Sequence, residues 1–248
     1  MKFLIQKIDG EIKHDFSFTL LESIRYQNWL YQNNNIKVKY INTDSEEKNI
    51  EVLMLPFKEF HKHYVPVGSV EFVSSYLKYF YDLTPKPINV PEELFNFTER
   101  SIWNANIYGF YKGYNKLFVK SNDNIKGITG IFNEKEYDFP VGNYQFSEVI
   151  DIKSEWRAFV YKGNLVGLQN YSGEFTKFPD VNMITEMIKA YKSAPVAYTL
   201  DVGVFDEKTF VIEVHDFFSC SNYGMSDHNI YPYMFYRWFH EYLNKFKK

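Results

Sequence analysis

At 248 residues, 45% hydrophobic and 24% charged, the chain has the composition of a soluble globular protein, with length for one large domain or two small ones. A net charge of −3 gives no general attraction for nucleic-acid phosphates, so the 24 Phe and 21 Tyr are assigned to aromatic-rich cores rather than to base stacking. The single cysteine, Cys220, excludes an internal disulfide framework and a multi-cysteine zinc site and favours a cytoplasmic location. The apolar run Phe3-Leu4-Ile5 is too short for a signal peptide or a membrane span, and no later run fills that role.

In chain order, Lys2 to Ile8 predicts a strand. Thr19 to Tyr31, apolar at 20, 21, 24, 29 and 30, predicts a helix. Lys37 to Ile41 and Glu51 to Leu55 are β-like. Val70 to Tyr81 places Val70, Val73, Leu77 and Phe80 on one side of a helix that Ser69 can cap. This first third alternates strands and helices, as a small α/β unit does. The stretch LTPKPINVPEEL, with prolines at 85, 87 and 91, is the best linker candidate. Beyond it come KLFVKS, GITGIF, YQFSEVI, EWRAFVYKG, NLVGLQNY, VAYTLDVGVF and TFVIEVHDF, all strand-like. One helix, Val181 to Tyr191, interrupts them, and a last helix spans roughly Asp227 to Phe246. Tight turns such as Lys162-Gly163-Asn164 imply antiparallel pairing, hence an α+β second part.

The common nucleotide-binding and nucleophile motifs GxxxxGK[ST], GxGxxG and GxSxG do not occur. His61 and His63 fit no metal motif and read as exposed loop residues, and Cys220 as a small loop or core residue. Charged residues on strands remain. Lys120 ends the run Leu117-Phe118-Val119, and Lys126 precedes Gly127 and Gly130; two ammonium groups on such a glycine-bearing flap could hold a polyphosphate, although lysines near a hairpin are usually solvated. Arg157 lies inside a strand, where its fork suits bidentate contacts with phosphate or carboxylate. With a hairpin loop centred on Glu207, Asp201 faces Glu213 directly, a repulsive pair that needs compensation. Asp201, Glu213 and His215 then share one face as a candidate divalent-metal site, with Asp216 turned away unless the strand has ended.

Taken together, VPVGSVEFV, FVKSNDNIKGITG, SEVIDIKSEWRAFVYKG, LDVGV and IEVHDF resemble the ATP-grasp superfamily from about Lys116 onward. The resemblance is to a small bacterial and phage-associated clade related to the ribosomal-protein glutamate ligase and tubulin-tyrosine ligase branches. It implies an α/β domain over residues 1–90 and an ATP-grasp domain over 91–248, the latter split into a lid-like part (91–146) and a metal-binding part (147–248). Two α+β subdomains would then grip ATP between antiparallel sheets. By the same resemblance Lys120 and Lys126 grip phosphates, and Ser147, Glu148, Val149 and Ile150 form the segment that holds adenine. Glu148 and Glu155 are candidates for adenine or ribose contacts, Arg157 faces the phosphates, and Asp201 and Glu213 ligate magnesium. The position two residues after the glutamate is usually asparagine and here is His215, which suggests a metal-bound water, a substrate contact or manganese in place of magnesium, with Asp216 as another oxygen donor. The implied activity is an ATP-dependent carboxylate–amine ligase with small-molecule or peptide substrates, in which Arg157 and Lys126 serve the phosphates and His215 is the one candidate base for the amine proton. A phosphotransferase or a non-catalytic ATP-binding protein is the alternative. Gly68-Ser69 could offer N–H groups to an acceptor carboxylate, or simply cap the helix.

Overall fold

A computed structural model describes residues 1–44, 54–106, 114–133 and 139–246. The chain divides into two compact units, one of Met1–Pro85, Pro195–Tyr198 and Asp216–Lys248, the other of Lys86–Ala194 and Thr199–His215.

The first unit is built on a three-stranded parallel sheet. Strand β1 (Lys2–Ile8) is central, flanked by β2 (Lys37–Thr43) and β3 (Val65–Val67). The four consecutive buried residues of β1, Phe3 to Gln6, are what a central parallel strand covered on both faces requires. Helix α1 (Asp15–Leu30) begins four residues before the predicted start. Its buried residues include Phe16, Leu20, Ile24 and Gln27, a stripe at helical spacing that leaves Trp29 72% exposed. Gln27 is buried because its amide donates to the carbonyls of His228 and Asn229, at 2.7 and 3.0 Å. Helix α2 (Val70–Tyr81) has the expected bounds. Ser69 Oγ accepts the Phe72 N–H at 3.2 Å, and the Ser69 N–H itself donates to Gln6 Oε1 at 2.7 Å, so this helix start is capped from within. A Cβ on Gly68 would lie 2.5 Å from the Gln6 side chain, which is why glycine stands there. Of the β-like segment expected at Glu51 to Leu55, residues 51–53 lie outside the described residues, and Leu55 opens a 3-10 helix, Leu55–Glu59.

The second unit contains two four-stranded sheets. One, in the order β4-β7-β5-β6, comprises β4 (Ile102–Asn106), β5 (Lys116–Ser121), β6 (Thr129–Asn133) and β7 (Asn143–Ser147), all antiparallel. Strand β4 was not expected from the pattern, because IWNAN alternates with two asparagines of weak strand propensity. The other sheet, β11-β10-β8-β9, comprises β8 (Ser154–Tyr161), β9 (Asn164–Gly173), β10 (Ala197–Phe205) and β11 (Lys208–Asp216). Its hairpins turn on two residues each, Lys162-Gly163 and Asp206-Glu207, and all four have positive φ. Helix α3 (Val181–Ala190) belongs to this unit and is capped by Asp180, whose side chain accepts the Asn182 N–H.

The last helix, α4 (Tyr231–Lys245), is shorter than expected at its N-terminus. Residues 216–248, continuous in sequence with the second part, pack into the first unit: Phe239 meets the Tyr76 and Tyr81 rings at 6.3 and 6.0 Å, and Phe217 meets Phe235 at 4.7 Å. The aromatics assigned to cores do fill them, and Trp238, Tyr76, Tyr231, Phe3 and Phe57 are among the largest fully buried side chains.

Candidate active site

Strand alternation places the first half of the site. In β5, Leu117 and Val119 are buried in a cluster with Phe139, Tyr144 and Phe146, so Phe118 and Lys120 take the other face. There they line a cavity of about 340 Å³. Its walls combine apolar side chains, among them Ile102, Ile131, Val149 and Ile150, with the charged or polar Lys120, Glu155, Tyr171 and Glu213. An apolar wall with a few placed polar groups is the usual form of a small-molecule site.

The second half comes from the β8, β10 and β11 strands. Arg157 donates from Nε and a terminal nitrogen to the two oxygens of Asp201, both at 2.8 Å. Both residues are buried, Asp201 to 1% exposure and Arg157 to 7%. A forked pair of this kind holds a carboxylate in one orientation. Glu213 accepts from the Lys120 ammonium on one oxygen and faces His215 Nε2 at 2.7 Å on the other. His215 Nε2 is also 3.8 Å from Asp201 Oδ2. One donor atom from each of Asp201, Glu213 and His215 lies within 4.8 Å of the others. The three expected metal-site residues therefore meet even though the hairpin turn is one residue shorter than a loop centred on Glu207 implies. The expected repulsion between the two acids is compensated within the protein, by Arg157 on Asp201 and Lys120 on Glu213.

Burial lowers the Lys120 ammonium to about 8; the Asp201 carboxylate opposes the shift and the Arg157 cation adds to it. Burial also holds the Tyr171 hydroxyl well above its usual range, reinforced by the Asp201 and Glu155 charges. That hydroxyl donates to Glu155 Oε2 at 2.8 Å, and the Arg157 guanidinium lies 5.7 Å from the Tyr171 ring.

The remaining expected residues divide. Ser147, Glu148, Val149, Ile150 and Glu155 all line the cavity. Each glutamate has one oxygen engaged within the protein, Glu148 by the Ser101 N–H at 2.7 Å and Glu155 by the Tyr171 hydroxyl at 2.8 Å. Lys126 sits exposed on the turn between β5 and β6 and is not among the residues lining the cavity. Asp216 accepts from Trp238 Nε1 at 2.8 Å and is not part of the donor group. His61 and His63 are exposed, and Cys220 is buried.

Three residues of the site escape a reading of the sequence. Arg100 lines the cavity while donating to the carbonyls of Val211 and Ile212 at 2.8 and 3.0 Å, and burial lowers its guanidinium to about 10. Tyr171 and Asn89 also line the cavity. Asn89 falls in the expected linker, yet it is only 1% exposed and its carbonyl accepts the Val214 N–H at 2.7 Å. These partners lie 16 residues away for Tyr171, 32 or more for Asn89 and 111 or more for the Arg100 contacts with β11, and no local pattern marks them.

Residues 97–233, more than half of the chain, match the family model described as ATP-grasp domain, R2K clade family 2. No curated protein matches the chain. Among solved structures, the fold is similar to a D-alanine–D-alanine ligase from Bacillus anthracis complexed with ATP, with TM-score 0.53 and 11% identity over 100% of both chains. It is also similar to a RimK domain protein ATP-grasp from Sphaerobacter thermophilus, with TM-score 0.54 and 9% identity over 95% of this chain and 97% of the other. At these identities the likeness concerns the fold. Among the described residues no helix is long and apolar enough to cross a membrane.

Proposed function

Because the chain belongs to the ATP-grasp domain, R2K clade family 2, we propose that it is an ATP- and divalent-metal-dependent carboxylate–amine ligase acting through an acyl phosphate. The observation that carries this reading is the meeting of Lys120 with the Asp201–Glu213–His215 group, with Lys120 and Glu213 both on the wall of the cavity. A polyphosphate needs cations at fixed positions, and phosphoryl transfer is promoted mainly by positioning and charge neutralisation. No side-chain nucleophile is required.

In this reading Lys120 leaves Glu213 for a phosphate oxygen, and backbone groups of the Ser147 to Ile150 segment hold adenine. Glu155, oriented by the Tyr171 hydroxyl, takes the ribose. Arg157 keeps Asp201 in place, since its fork is already engaged there. The reading needs neither Lys126 nor Asp216. Two carboxylates and an imidazole with donor atoms this close fit a divalent cation. Bound there, the cation would neutralise phosphate oxygens and polarise the phosphorus under attack. The imidazole donor favours manganese over magnesium, which prefers oxygen ligands. A His215 nitrogen bound to a cation cannot also take the amine proton, so a ligand role excludes a base role at that atom.

The substrate carboxylate attacks the terminal phosphorus of ATP and ADP leaves. The amine then displaces phosphate, giving the amide. The test measures ADP and phosphate release with magnesium or manganese, with and without a pool of amino acids and short peptides. Amine-dependent release of both products in equal amounts is expected. ADP without free phosphate indicates a phosphotransferase, and failure to bind ATP at millimolar concentration overturns the reading.

A further inference from the structure

We infer that Asn89 is a positioning residue that fixes Lys120 relative to the Asp201–Glu213–His215 group and thereby couples phosphate binding to cation binding at the proposed nucleotide site. The inference rests on the nucleotide reading of that cavity. Lys120 lies on β5 and Glu213 and His215 lie on β11, which belong to different sheets. Asn89 is attached to both strands beside these residues. Its carbonyl accepts the N–H of Val214, the residue between Glu213 and His215, at 2.7 Å. Its side-chain Nδ2 donates to the carbonyl of Ser121, the residue after Lys120, at 2.9 Å and to Asn122 Oδ1 at 2.6 Å. The next residue extends the clasp: Val90 N–H and C=O both pair with the Gln145 amide, at 3.0 and 2.9 Å, and Gln145 stands opposite Lys120 in β7.

Two features separate this residue from an ordinary buried amide. Asn89 has φ +57°, a conformation that asparagine tolerates and most side chains do not. Among the described residues its buried Oδ1 meets no hydrogen-bond donor, so the amide is oriented by the bonds its Nδ2 donates. A group chosen only for stability would satisfy both ends. Small shifts between β5 and β11 change the gap that a phosphate and a cation must share, so a clasp one residue from each ligand set controls both affinities together.

The test measures manganese binding by electron paramagnetic resonance, with and without ADP, and corrects for manganese bound to ADP in solution. ADP should tighten manganese binding to the native protein by about ten-fold or more. Asn89→Gly, which accepts the positive φ, should lower that factor to about two or less, with a larger loss in coupling than in thermal midpoint. Asn122→Ala, which removes one of the two acceptors and leaves the backbone of residue 89 intact, should reduce the coupling part of the way. Undiminished coupling in Asn89→Gly, or in Asn122→Ala should the glycine variant fail to fold, overturns the inference while leaving the nucleotide reading in place. Failure of the native protein to bind ADP at all removes both.

Discussion

Glu213 accepts from Lys120 on one side and faces the His215 imidazole on the other, a pair of contacts that changes what its removal should do. As one of two opposed acids it would be a source of repulsion, and Glu213→Gln would stabilise the protein without metal. With Lys120 as its counter-ion, the same substitution strands a largely buried ammonium, and we expect a loss of about 1–3 kcal/mol in urea denaturation. Lys120→Met tests the other partner. It should weaken ADP binding ten-fold or more, since a phosphate-binding cation is gone. Without nucleotide it should tighten manganese binding several-fold, because the ammonium no longer neutralises Glu213. Parallel losses of both ligands would contradict the arrangement. The charged residues themselves were legible in the sequence, because strand alternation and chain order single out Lys120, Arg157, Asp201, Glu213 and His215. Their pairing was not, since Lys120 meets Glu213 across 93 residues and Arg157 meets Asp201 across 44. Asn89 shows the limit most clearly, for proline-flanked residues read as a solvated linker until the buried bridge to Val214 is seen.

At the scale of the elements, hairpin turns and caps follow from local chemistry, and the sequence shows them well. Ser69 caps α2, and Lys162-Gly163 turns β8 into β9 with φ +51° and +72°. The Asp206-Glu207 turn does the same with φ +46° and +62°, but with glutamate where glycine is preferred. A trio of polar residues at 206–208 does not tell a two-residue loop from a three-residue one, and the structure has the shorter turn. Glu207→Gly removes a left-handed side-chain penalty of about 1–2 kcal/mol, partly offset by the greater chain entropy of glycine in the unfolded state. A net gain of about 0.5 kcal/mol is expected, with manganese and ADP affinities unchanged. Destabilisation would show that the Glu207 side chain has a role the turn geometry does not reveal. The start of α1 differs from expectation for a related reason: the apolar pattern points to Trp29 and Leu30, which are exposed, whereas Phe16 and the polar Gln27 lie on the buried face.

At the scale of the whole molecule, chain order and packing part company. Residues 216–248 follow the strand that carries Glu213 and His215, and in sequence nothing separates them from it. The structure packs them with residues 1–85. Helix α4 buries Met234, Phe235, Trp238, Phe239 and Leu243, with Trp238 stacked on Phe218 at 4.8 Å and bonded to Asp216. Its length and its apolar positions can be read from periodicity, but the surface that receives them cannot, because Tyr76 and Tyr81 precede Phe239 by more than 150 residues. At about 1.5–3 kcal/mol for each fully buried large side chain, those five contribute roughly 8–15 kcal/mol. That is the whole net stability of an ordinary domain. A chain ended after His215 should therefore lose the fold of the first unit, seen as loss of near-ultraviolet circular dichroism and rapid proteolysis within residues 1–85. Trp238→Ala in the full chain should cost about 3–5 kcal/mol and melt the same unit first. If residues 1–85 of the truncated chain resist protease as the full protein does, the first unit draws its core from its own three strands and two helices, and α4 merely covers it.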